Sequence, residues 1–501
     1  MSRNTMYLQD IVKGNYGRKI AYADVEEINE TNILPILVKS IGIFNSNKTV
    51  VDYLWRYKNG DQPVLYRQKK IRDDIVNKVV ENHAYEIVQF KVAQSYGEPL
   101  QYVSTSDVER VNNAVDKLNM IMASVFKYQR NIKQGEWRSA VGTSFLAIQR
   151  TGREKKIFRL TVPTPMNTFI IYSSSTEEPL MAVQHLKEYV DSRREEYYYL
   201  CFTDTMQYKI KNGKIVDKRL HVFGGIPIVE IPNNQDRLSD VEIVITMLDA
   251  INEMQSNRMD GIQQFIQSWM KFVNCEIDEE TFRKMKTNGA LVVKSNNGDG
   301  NKADVDVMTQ ELDQTQSQVA KDDLWNNALS ILAIPNKEGN TGGDTQGAVE
   351  LRNGWDFSKN RAKLSDAYII EAETRLAEVV LNILRIGGQD LGITTDDFTV
   401  NIPHSPQDNM TVKANVLSIL LQAGIHPLIA IKVCGLWNDA EKVYLLSKPY
   451  LDVLHKTVDD VIKEIPDADE QTTKAVNIKK DYEENNNPQS KLKERLMTAL
   501  G

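Results

Sequence analysis

Apolar residues recur at helical spacing through the middle of the chain: Val241, Val244, Leu248 and Ile251, then Met259, Ile262, Phe265, Ile266, Trp269, Met270 and Val273. Intervals mostly of three and four place them along one side of a helix, so the pattern predicts a single helix over 239–273. Ser239 stands where a cap belongs, and Glu242 follows at the spacing of a capping box. At 1.5 Å per residue the rod is about 50 Å long. One globular core rarely needs such an element, which predicts that it spans a tall assembly. Just before it runs Gly225-Ile226-Pro227-Ile228-Val229-Glu230-Ile231-Pro232-Asn233-Asn234, whose apolar centre predicts a strand over 226–231.

Upstream, the pattern predicts helices over 24–44, 72–96 and 108–134. The second carries Ile75, Val79, Val80, Ile87, Val88 and Val92 and stops at Gly97 before Pro99. From Ser144 the period changes to that of strands, at 158–172, 181–189 and 196–202. Segments 208–211 and 214–217 flank Asn212-Gly213, a two-residue hairpin signal. Together these predict one antiparallel sheet of about five to seven strands. Downstream, 274–308 reads as a small insertion. It holds a short helix (279–286), a strand (290–294), a Gly/Asn-rich loop (295–301) and a second strand (305–308). A helix over 309–332, polar in its first half, ends at Pro335. A loop dense in Gly, Asn and Thr occupies 336–347. A third long helical pattern covers 348–386, with Gly354 as a kink site and Gly387-Gly388 as its stop. Helices follow at 411–423 and 427–434, and a third opens at Asn438 with Glu441. Beyond Pro466 the chain is polar and charged, the composition of a mobile tail.

Composition narrows the chemistry. The 501 residues are 41% hydrophobic and 26% charged, with a formal net charge of −7. No apolar run has the length of a membrane span, and residues 1–14 lack the basic end and apolar centre of a signal peptide. Cys201, Cys275 and Cys434 are odd in number and far apart, which fits reduced thiols. The absence of a basic domain argues against ordinary DNA binding. The loop at 339–347 lacks the lysine and hydroxyl of a phosphate loop, since Ala348 and Val349 follow Gly347. The histidines show no metal spacing. The acidic pairs Asp322-Asp323, Asp396-Asp397 and Asp459-Asp460 read as solvated faces, because adjacent helical residues point apart. The expectation is a protein without catalytic residues, metal or cofactor. The stripe of Met254, Met259, Trp269, Met270 and Phe272 reads as apolar contact with a neighbouring helix, and the long helices favour a neighbour from another chain.

Several of these segments resemble the portal proteins of tailed bacteriophages, in the siphophage-type group, from about residue 76 to 450. They are the 225–234 signpost, Ser239-Asp240-Val241-Glu242, Leu248-Asp249-Ala250-Ile251-Asn252 with Ser256 and Asp260, Tyr96-Gly97-Glu98-Pro99-Leu100, and the block from Gly339-Asn340-Thr341 to Arg375. The resemblance implies an α+β portal-type fold in a ring-forming subunit. Its parts are an α/β wing (1–234), a two-helix stem (239–273 and 309–332), a small α/β clip between them (274–308) and a tunnel loop (336–347). A long kinked helix (348–386), a wing strand (391–402), an α-helical crown (407–465) and a flexible tail (466–501) follow.

The same resemblance implies a ring, typically twelve-fold, at one capsid vertex of a virion, after assembly in the host cytoplasm. Double-stranded DNA would pass through it in packaging and ejection without being read. Terminase large subunit, then head-completion and adaptor proteins, would dock on it, beside the major capsid and scaffold proteins; no membrane is implied. The DNA-channel residues are then Asn336, Lys337, Gly339, Asn340, Thr341, Gly342, Gly343, Asp344 and Gln346. The terminase- and adaptor-facing residues are Ser295, Asn296, Asn297, Gly298, Asp299, Gly300 and Asn301. Phe265, Trp269 and Met270 are expected at the subunit interface. The rival readings are a capsid or scaffold lattice protein, which would lack two long helices bracketing an insertion, and a DNA-processing enzyme, for which no residue spacing speaks.

Overall fold

A computed structural model describes residues 16–69, 73–106, 108–153, 156–191, 194–266, 269–273, 279–280, 283, 304–308, 314–335, 354–403, 410–437 and 440–455. They fall into two units, 1–405 and 406–501.

In the first unit, β1 (Ala21–Ala23) leads to α1 (Ile33–Lys58), which starts later and runs further than the predicted helix at 24–44. The predicted helix over 72–96 is only half helix. α2 spans His83–Tyr96, and the Asn82 side chain accepts from Tyr85 N at its start. Residues 75–82 are neither helix nor strand, for a reason given below. After β2 (Gln101–Ser104), the predicted helix over 108–134 is two, α3 (Glu109–Ser124) and α4 (Lys127–Val141). They are broken at Phe126, whose φ of 60° lies in the left-handed region.

The strands divide differently from the single predicted sheet. β3 (Thr143–Arg153), β4 (Lys156–Thr161) and β10 (Ile228–Pro232) form a three-stranded antiparallel sheet. A six-stranded sheet runs β1-β5-β6-β7-β8-β9, with β5 Thr168–Ser173, β6 Pro179–Asp191, β7 Arg194–Phe202, β8 Met206–Lys211 and β9 Lys214–Leu220. β1 lies parallel to β5, pairing Ala21 with Ile171. An edge strand recruited from far upstream is invisible to local patterning. The Asn212-Gly213 hairpin is as expected, with both residues at positive φ.

The long helix, α5, spans Asp240–Ile266, about 40 Å. It therefore stops short of the predicted end at Val273. Trp269–Val273 instead forms β11, antiparallel to β12 (Asp304–Met308), with Trp269 opposite Met308 and Val273 opposite Asp304. A strand-forming run that finds a partner 35 residues downstream overrides the helical period. α6 (Gln314–Ile331) follows. α7 covers Trp355–Ile386 without a break. Gly354, expected as a kink, directly precedes it with φ 77°, and 348–353 lie outside the described residues. β13 (Phe398–Asn401) then pairs with β2, a strand within the expected 391–402.

Three cores result. One fills the space between α3, α7 and the β2, β3, β4, β10 and β13 strands. A second lies between the first half of α1 and the larger sheet. The third is helical: Leu54 and Tyr57 of α1, Ile87 and Val88 of α2, Trp137 of α4, Leu248 and Ile251 of α5, and Leu332 after α6.

The second unit contains α8 (Met410–Gln422), α9 (Pro427–Cys434) and α10 (Ala440–His455). The first two helices are followed by Gly424 and Gly435, both at positive φ, where the sequence placed the stops.

Candidate functional site

The loop residues 336–347 and 295–301 lie outside the described residues. Phe265 belongs to α5, whereas Trp269 and Met270 belong to β11, so the three do not share one helix as the sequence pattern implied; their side chains are outside the described set. What the structure places in view is the root of the long helix and the way it is held.

α5 begins with the expected capping box. Ser239 Oγ accepts from Val241 N at 3.1 Å and Glu242 N at 3.4 Å, and Glu242 Oε2 accepts from Ser239 N at 3.3 Å. Ser239 is fully buried and also donates to the Ala140 carbonyl at 2.8 Å. Glu242 forms a buried ion pair with Arg18 and accepts from Gly17 N at 3.3 Å. Burial lowers the Arg18 pKa, an effect that Glu242 offsets in part.

Two stripes then run along α5. The apolar stripe is buried at Val241, Val244, Leu248 and Ile251, but its continuation is not: Met259 and Ile262 are each 40% exposed. Beside it lie Asp249, Asn252, Ser256 and Asp260, separated by three, four and four residues and hence on one face. Asp249 Oδ1 accepts from Tyr57 Oη at 2.8 Å. Burial pushes the Asp249 carboxyl up to about 6, against the opposing effect of that hydrogen bond.

The other three hold the segment 75–82 as a strap. Asn252 Oδ1 accepts from Glu81 N at 2.8 Å, Ser256 Oγ from Val79 N at 3.0 Å, and Asp260 Oδ1 from Asn77 N at 2.6 Å. Four helical residues rise about 6 Å, and two extended residues span about 6.5 Å. Every fourth residue of α5 therefore meets every second residue of a strap running antiparallel to it. The backbone donors of 77, 79 and 81 are satisfied by side chains of α5 rather than by a helix of their own, which is why the helical prediction fails here.

The ladder is clamped at both ends. Asp260 Oδ2 lies 3.0 Å from Arg67 Nη2 and 2.5 Å from Lys69 Nζ. Burial works to raise its carboxyl, but the hydrogen bonds from Lys69 and Asn77 outweigh it and hold the group below the usual carboxylate range. At the other end Glu81 meets Lys321 Nζ at 3.1 Å, joining the strap to α6. His83 stacks on Trp325 of α6 at 3.9 Å between centroids. Arg258 Nη1 donates to Gln318 Oε1 at 2.6 Å, joining α5 to α6 directly.

Each of these contacts ties α5 to another element of the chain. Among the described residues no group of three or more His, Cys, Asp or Glu is placed to hold a metal ion. No described helix is long and apolar enough to cross a membrane. Cys201 and Cys434 are buried free thiols. Arg18, Tyr57, Arg67, Lys69 and Asn77, the partners of α5, were not singled out from sequence. The i, i+4 run Asn252, Ser256, Asp260 was the available signal, since polar residues at that spacing beside an apolar stripe ask for a polar partner.

A family model described as phage portal protein, SPP1 Gp6-like, matches residues 39–433. No curated protein matches the sequence. Among solved structures, the virion of a native gene transfer agent particle contains a chain that is similar at 10% identity. The match covers 77% of this chain and 93% of that one, with a TM-score of 0.43. The neck of the empty particle, computed with C6 symmetry, gives 10% identity, 70% and 89% coverage, and a TM-score of 0.43. The neck of the native particle, computed with C12 symmetry, gives 10%, 70% and 89%, and 0.41.

Proposed function

Because the chain belongs to the phage portal protein family, SPP1 Gp6-like, we propose that it assembles into a closed ring, typically twelve-fold, at a capsid vertex and forms the channel for double-stranded DNA. The observation that carries this reading is the family match over residues 39–433. It is a structural family, which accords with a site built to hold helices rather than to react. In this reading α5 and α6 are the stem, and the insertion between them, with its loop at 295–301, receives terminase large subunit and later the adaptor proteins. The loop at 336–347 lines the channel, and the 406–501 unit supplies the crown.

Two features support the stem assignment. α5 leaves Met259 and Ile262 exposed on the same stripe that is buried nearer its root, and α6 exposes Val319 at 55%. Apolar side chains repeated along a rod are the composition of a helix-to-helix contact with another copy. The strap ladder and the α5–α6 contacts would keep the two rods in fixed register while neighbours pack against them. A negative net charge suits a channel, since each lysine or arginine bound to the phosphates adds drag.

Electron microscopy of the purified protein tests the reading. Rings with a central hole are expected. Extended sheets or shells would favour the lattice protein instead, and monomers at every concentration would overturn the ring.

A further inference from the structure

Two surfaces of the chain, one of them partly on α6, are complementary to one another. The first is a groove of about 580 Å³ between α2 and α6. Phe90, Trp325, Leu329 and Ile334 form its walls, with Glu86 and Asp322 among its lining residues. Trp325 is fixed by its stack on His83, and Phe90 is met from one side by Trp355 of the same chain.

The second surface is on α7. That helix docks on a different part of α2, where Gln94 Nε2 donates to Ser358 Oγ at 2.8 Å. It carries Phe357, Arg361 and Leu364 at spacings of four and three, one helical face, with Arg361 and Leu364 at the rim of a cleft that Lys91, Arg138 and Asp240 also line. Phe357 is 60% exposed and Leu364 68%. Arg361 is exposed and forms no ion pair with the described residues.

An arginine flanked by two large apolar side chains is the make-up of an interface hot spot. An apolar groove with two carboxylates is its counterpart in shape and charge, and a short helical stripe laid in such a groove is a recurring mode of recognition. We propose that the α7 stripe of one copy seats in the α2–α6 groove of a second copy of this chain. Phe357 and Leu364 pack against Phe90 and Trp325, and Arg361 faces Glu86 and Asp322. Stripe and groove are separate surfaces of the same chain, so each copy offers one to each neighbour. Such a head-to-tail contact propagates and closes into a ring when its rotation permits. The proposal rests on the ring reading above and names the residues that would hold it.

Light scattering after size exclusion, with circular dichroism as the check on folding, tests it. Leu364→Glu and Phe357→Ser change exposed residues and should leave folded monomers, with at least a ten-fold loss of ring at equal concentration. Arg361→Glu alone and Asp322→Lys alone should each reduce assembly, and the two together should restore at least half of it. Asn326 also lines the groove, so Leu364→Cys combined with Asn326→Cys should give a ladder of disulfide-linked oligomers on oxidation, and this holds the test even if Leu364→Glu misfolds. Wild-type rings that are indifferent to these variants and give no ladder overturn this contact while leaving the ring reading intact. A wild-type protein that never forms rings overturns both.

Discussion

Asp260 of α5 takes the backbone N–H of Asn77 at 2.6 Å, across 183 residues of sequence. It also faces Arg67 and Lys69, so one carboxylate fixes both the end of the strap and two cations. The outer half of the long helix is thus anchored by polar contacts where its apolar stripe has run out of partners within the chain.

Asp260→Ala removes the acceptor for Asn77 N and one carboxylate partner of Arg67, which keeps Asn257 at 2.7 Å and Glu253 at 3.5 Å. Leaving the strap donor unsatisfied costs about 1–3 kcal/mol. Urea unfolding should show that loss, and hydrogen exchange should show faster exchange at Asn77, Val79 and Glu81 than at the Leu248 end of α5.

Asp249 makes stability depend on pH. Its folded pKa of about 6 is above the ordinary 3.8, so between those values the folded state binds more protons than the unfolded one. Stability is then greatest below about pH 4, falls as pH rises through about 6, and is lower by about 3 kcal/mol at neutral pH on this account alone. Asp249→Asn keeps an acceptor for Tyr57 and should raise the melting temperature at pH 7.5 with little effect near pH 4. Equal shifts at both pH values would contradict this.

Ser239→Ala removes the acceptor for Val241 N and Glu242 N inside the core. A loss of about 1–2 kcal/mol is expected from the cap. Thermal unfolding measures it, and Ser239→Thr should behave worse than a surface cap would, since Ser239 has no exposed area to grow into.

Gly142, at the junction of α4 and β3, has φ 87°, and an added Cβ would stand 1.9 Å from the Arg237 carbonyl oxygen. Gly142→Ala combines left-handed strain with a backbone clash, each costing about 1–3 kcal/mol. The variant should be largely insoluble or should melt far below the wild type. A normal melting temperature would show that the 233–238 turn is free to move away.

The proposed channel loop carries glycines at 339, 342, 343 and 347, which permit backbone conformations that other residues resist. Gly342→Pro with Gly343→Pro should leave rings intact and reduce the DNA packaged per particle. Lys337→Glu should alter packaging in a salt-dependent way. Full genomes packaged at the normal rate by both variants would show that the loop makes no contact of consequence with DNA.

The sequence by itself determined the elements whose signals are local. Ser239 and Glu242 specify the start of α5, Asn212-Gly213 the hairpin between β8 and β9, and Gly424 and Gly435 the ends of their helices, because caps and turns are settled by residues three or four apart. The family was legible for the same reason, in the order of a signpost strand, a capped helix and the Asn252, Ser256, Asp260 run. Tertiary structure decided whatever depends on a distant partner. Residues 75–82 have apolar residues at helical spacing, yet they form a strap because α5 offers their backbone three acceptors at matching intervals. Trp269–Val273 continues the helical period, yet it is a strand because 304–308 supplies its ladder. β1 joins the large sheet only because β5 leaves it an edge. In each case hydrogen bonds to a remote segment outweigh a local preference worth a few tenths of a kcal/mol per residue, and no window of sequence contains both partners.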